Sequence, residues 1–94
     1  MNWLETIELR SIEGNRKSLE TQMVKLVNEV NREARKQAIK VYSSMTINTD
    51  FCIHLFHESK KAEVNGSRLG LRLASALKAF GLVNYSIWIE IGES

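Results

Sequence analysis

Apolar and polar residues alternate along Trp3 to Ile12 (WLETIELRSI), with Ile7 and Leu9 in one phase and Thr6, Glu8 and Arg10 in the other. A period of two predicts a half-buried strand. Glu13-Gly14-Asn15 supplies turn residues, and from Lys17 the spacing changes: Leu19, Met23, Leu26, Val27 and Val30 recur at three and four, the apolar stripe of a helix. Ser18 stands as a loose N-cap, and the helix is expected to end between Asn31 and Lys36. Alternation returns in the β-branched segment Ile39 to Ile47 (IKVYSSMTI). Asn48-Thr49-Asp50 then separates it from Phe51 to Glu58 (FCIHLFHE), apolar enough for a central strand, so the two predict a hairpin. A polar loop from Ser59 to Gly66 leads to Ser67–Phe80, where Leu69, Leu73, Leu77 and Phe80 trace a second helical stripe. Gly81 occupies the position of a left-handed helix cap. Val83 to Ile91 (VNYSIWIEI) alternates again, as a fourth strand.

The order is β-α-β-β-α-β, which predicts an α+β, ferredoxin-like domain with a four-stranded antiparallel sheet and both helices on one face. Ninety-four residues form one such domain, 1–94. Hydrophobicity assigns Ile7, Leu9, Val41, Met45, Ile53, Leu55, Ile87 and Ile89 to the covered face. The other face then carries Leu4, Thr6, Glu8, Arg10, Lys40, Tyr42, Ser44, Thr46, Cys52, His54, Phe56, Ser86, Trp88 and Glu90. A solvated sheet face rarely carries Leu4, Tyr42, Phe56 and Trp88 together, so a second copy of the chain is expected to cover it.

An element order and face pattern of this kind, running from Trp3 to Ile91, resembles the dimeric α/β-barrel proteins, in particular the group typified by antibiotic-biosynthesis monooxygenases. The resemblance implies a homodimer in which two sheets meet to form a barrel, with a pocket between sheet and helices for a small organic molecule. It implies no particular reaction: members range from cofactor-free oxygenases to haem-degrading enzymes, and one fold hosts unrelated functions.

Charge and composition narrow the classes. Thirteen Lys and Arg against eleven Asp and Glu leave +2, with the basic residues scattered, so the electrostatic drive for nucleic-acid binding is missing. The cluster Arg32, Arg35 and Lys36 reads as solvated surface. One Cys fits a reducing, cytoplasmic setting, and no apolar run reaches the length of a membrane span. The absence of Pro excludes tautomerases that use an N-terminal proline.

Within the bare face the sharpest enzymatic set is His54, able to exchange a proton near neutral pH, and Arg10, able to hold an anionic oxygen. Tyr42, Trp88, Glu8 and Phe56 would supply the ligand-binding walls. The plainer alternative makes the chain a non-catalytic ligand-binding or interaction module, with Glu8, Arg10 and His54 pairing across an interface. His54 and His57 stand three apart and point to opposite faces. Cys52 and His54 share a face, yet the spacing specifies no metal site, and no cofactor is expected. The segment Asn65 to Gly70 (NGSRLG) opens the second helix, where backbone N–H groups and Arg68 would suit a phosphate or carboxylate.

Overall fold

The computed structural model describes residues 1–12, 16–34 and 39–92. The turn expected at Glu13–Asn15 and the basic residues Arg35 and Lys36 lie outside them. The elements are β1 (Asn2–Ser11), α1 (Arg16–Ala34), β2 (Ile39–Ser43), β3 (Asp50–Glu58), α2 (Arg68–Leu77) and β4 (Gly81–Ile89). The sheet order is β2-β3-β1-β4 with every neighbouring pair antiparallel, so the fold is the α+β, ferredoxin-like one that the sequence predicts.

Continuous registers without a bulge keep one parity on one side throughout. Odd-numbered strand residues face the helices. Ile7, Leu9, Ile39, Phe51, Ile53 and Leu55 meet Leu19, Met23 and Val27 of α1 and Leu73, Ala74 and Leu77 of α2 in one core. Each large side chain so buried contributes about 1.5–3 kcal/mol. Even-numbered residues form the face that neither helix covers.

Arg16 ties the start of α1 to the loop after β2, bonding Glu20, the Asn48 and Ser43 side chains and the Ser44 carbonyl. At the other end Asn31 grips β2, donating to the Ile39 carbonyl and accepting from its N–H. Ser18 lies inside the first turn of α1 and is not its cap.

Three expectations about elements are corrected. β2 ends at Ser43, because the Ser44 hydroxyl accepts the N–H groups of Thr46 and Ile47 and folds residues 44–49 into a loop. Met45, expected in the core, is therefore 97% exposed, and Ser44 and Thr46 leave the sheet face. Ile89 keeps the helix-side parity but projects beyond the helices, 54% exposed. Gly81 is no helix cap: α2 closes on Lys78 in a right-handed conformation, and Gly81 opens β4 opposite Ser11. A Cβ there would strike the Arg10 carbonyl, so this glycine serves a close backbone approach.

Candidate functional site

Cross-strand register sorts the bare face into four rows beyond a polar margin of Glu58, Asn2 and Glu90. The first is Phe56-Leu4-Trp88, and the second Lys40-His54-Thr6-Ser86. The third is Tyr42-Cys52-Glu8-Asn84, and the fourth Asp50-Arg10-Leu82. Phe56 and Trp88 thus lie toward the end bordered by Glu58 and Glu90, and Glu8, Arg10 and Asp50 toward the other.

At the charged end a groove of about 510 Å³ is lined by Glu8, Arg10, Tyr42, Asp50, Cys52, Leu82 and Asn84, among others. Arg10 grips Asp50 through two hydrogen bonds, Nε to Oδ1 at 3.1 Å and Nη2 to Oδ2 at 3.3 Å. That pairing lowers the Asp50 pKa and raises that of Arg10. Asn84 donates to Glu8 at 3.2 Å. Burial, and then the charge of Glu8, push the Cys52 thiol up, so it packs as a neutral group.

Of the residues singled out from the sequence, Arg10, Glu8 and Tyr42 meet in this groove. His54 sits one row away, its ring 4.8 Å from that of Tyr42 and 5.9 Å from that of Phe56. Lys40 lies over the Phe56 ring at 5.8 Å. Trp88 is 57% exposed at the far end and donates its indole N–H to Thr6 Oγ1 at 3.0 Å. His57, as expected, points to the helix side. No group of three or more His, Cys, Asp or Glu suited to a metal ion occurs among the described residues. No described helix is long and apolar enough to cross a membrane.

A second constellation lies beneath the sheet, around Glu5, whose exposure is 0%. Its Oε1 accepts from the Ser67 hydroxyl at 2.5 Å and from His57 Nε2 at 2.5 Å. Its Oε2 accepts from the Ser67 N–H at 3.1 Å and from the Tyr85 hydroxyl. Burial pushes the Glu5 pKa up, but the Ser67 hydroxyl, Tyr85, the Ser67 amide and His57 together outweigh it, and the carboxyl titrates below its usual range. Burial, and the Glu5 carboxylate it donates to, drive Tyr85 strongly upward, so its hydroxyl stays a donor. Trp3 stacks on His57 with centroids 4.0 Å apart and donates its indole N–H to Ser59.

Ser67 is also the N-cap of α2, accepting from the Gly70 N–H at 2.9 Å. The anion anticipated at Asn65–Gly70 is therefore the chain's own Glu5, held where the helix dipole favours negative charge. Arg68 stays exposed. Sequence reasoning missed Glu5 as a functional group; its one signal is a carboxylate in the apolar phase of β1, between Trp3 and Ile7. No protein-family model matches the chain, nor does any curated protein or solved structure, which leaves these two constellations as the ground for a functional reading.

Proposed function

We propose that the chain is a small-molecule-binding protein of the dimeric α/β-barrel type, with a second copy covering the aromatic end of the bare face. The observation that carries this is the division of that face into an apolar row of Phe56, Leu4 and Trp88 and, at the opposite end, a polar groove. Trp88, Phe56 and Leu4 offer the anchors a protein contact needs. The groove offers an aromatic wall in Tyr42, an apolar one in Leu82, and the charges of Arg10 and Glu8, the mixture that orients a small organic ligand. The antibiotic-biosynthesis-monooxygenase group and a cytoplasmic setting belong to the same proposal, supported by the fold and by a lone free thiol.

Binding is favoured over catalysis because Arg10 is already held by Asp50 and the His54 ring is packed between two aromatics. The enzymatic alternative keeps His54 as the proton-exchanging group, one row from the groove.

Titration with small aromatic carboxylates, followed by Trp fluorescence, tests the site. Arg10→Ala is expected to weaken binding at least tenfold and His54→Ala less, while His57→Ala, on the opposite face, leaves affinity unchanged. Unchanged affinity in the first two, with assembly intact, would assign these residues to the interface alone. A turnover lost on His54→Ala with binding retained would establish the enzyme.

A further inference from the structure

The two edges of the sheet differ sharply. β2 is five residues long, carries Lys40, and is overlaid at its end by Arg16 reaching to Ser43 and Ser44. Short length, a lysine and a covering side chain are the usual means of blunting an edge. β4 has none of them: it runs nine residues, GLVNYSIWI, with no charge and no proline, whereas β1 and β3 carry charges throughout.

The direction of its free backbone groups follows from the register. The Glu90 N–H donates to the Asn2 carbonyl and the Phe80 carbonyl accepts from Ile12, so even-numbered residues of this segment bond to β1. In an antiparallel ladder the intervening residues point the other way. Gly81, Val83, Tyr85, Ile87 and Ile89 therefore aim their N–H and C=O groups outward, along a strand whose central residue is Tyr85.

We infer that β4 pairs antiparallel with β4 of a second copy across a two-fold axis at Tyr85, joining the two sheets into one of eight strands. About that axis the sequence is self-complementary. Gly81 falls opposite Ile89, Val83 opposite Ile87, and Tyr85 opposite itself, all in positions where the outward groups bond reciprocally. On the bare face Leu82, 72% exposed, falls opposite Trp88, and Asn84 opposite Ser86. Apolar meets apolar and polar meets polar at every step, and no charge is buried. A register shifted by two residues sets Asn84 against Trp88 and leaves Leu82 beyond the end of the strand. A second copy is the occupant these pairings select, because an isologous contact requires this self-complementarity. The contact is distinct from the face contact proposed above, its hydrogen bonds coming from the backbone of one edge, although Trp88 stands in both.

Amide hydrogen exchange reads it directly. Val83, Tyr85 and Ile87 are expected to be protected as strongly as Asn84, Ser86 and Trp88, with protection of the first three falling on dilution. Fast exchange at the odd positions at every concentration, beside slow exchange at the even ones, overturns the inference. Charge placement tests the register in sedimentation: Asn84→Lys with Ser86→Lys sets like charges opposite each other and is expected to separate the copies, while Asn84→Lys with Ser86→Glu restores them. Assembly unaffected by the first pair, or unrestored by the second, rules out the Tyr85-centred register. Phe56→Ala, on β3, should weaken a face contact and leave the odd-position protection unchanged, so the two contacts fail separately.

Discussion

Glu5 occupies a place in β1 that Val or Ile would fill in most sheets, and it is tolerated because both carboxylate oxygens are fully engaged. Removing it leaves Ser67, Tyr85 and His57, all half-buried, with donors that have lost their acceptor, and such unpaired donors cost more than the bond itself is worth. Glu5→Ala is expected to lower stability by about 1–3 kcal/mol in chemical denaturation, the cost of leaving those donors unpaired. Tyr85→Phe, which deletes one donor among several, should cost about 1 kcal/mol. The charge carries a pH signature. The folded pKa of Glu5 lies below its ordinary value near 4.5, so its contribution is complete above that value and is lost as pH falls through the folded one. Thermal melts from pH 7 to pH 3 should therefore decline on the acid side more steeply in the unsubstituted protein than in Glu5→Gln. Equal acid slopes would show that the carboxylate is not held as a charged acceptor. None of this was legible locally, since Ser67 and Tyr85 stand 62 and 80 residues from Glu5; periodicity places a residue on a face but does not name its partners.

At the scale of elements, α2 owes its position to the same carboxylate. A Cβ on Gly70 would land within the Glu5 carboxylate, and one on Gly66, where φ is +86°, would meet the Tyr85 hydroxyl. In an exposed helix Gly→Ala gains about 1 kcal/mol of propensity; here Gly70→Ala is expected to destabilise the fold, because a packed acid cannot withdraw. Combining it with Glu5→Ala removes the clash, so the second substitution should then be neutral or stabilising, a coupling that a double-mutant cycle measures. The elements themselves were legible, since the spacing of Leu19, Met23 and Val27 differs in kind from the alternation of Ile53 and Leu55. What the pattern missed were places where side chain or backbone detail overrides it. Ser44 ends β2 by bonding forward, which carries Met45 out of the core despite its apolar character. Gly81 looked like a helix cap by position, yet its use is steric, against the Arg10 carbonyl. The candidate site was legible in the same partial way: parity brought Glu8, Arg10 and Tyr42 to one face, but the lengthwise separation of His54 and Trp88 from the groove needed the register.

For the whole molecule, the uncovered face and the uncharged β4 edge both present surface that one copy leaves unused, and Trp88 stands where they meet. Within a copy Trp88 is more than half exposed and donates a single hydrogen bond, to Thr6, so Trp88→Ala should change folding stability by less than about 1 kcal/mol. In the proposed contact between copies it is an aromatic anchor, and its loss is expected to cost about 2 kcal/mol or more, roughly a thirtyfold rise in the dissociation constant. The contrast between those two numbers separates a contact residue from a structural one. Sedimentation of the unsubstituted chain across micromolar concentrations, beside denaturation of the same samples, measures both. A species of 10.8 kDa throughout that range would refute association. If both contacts form, assemblies larger than a pair result, and Phe56→Ala should reduce them to pairs joined along β4, because its ring lies on β3 beside Leu4 and takes no part in the edge.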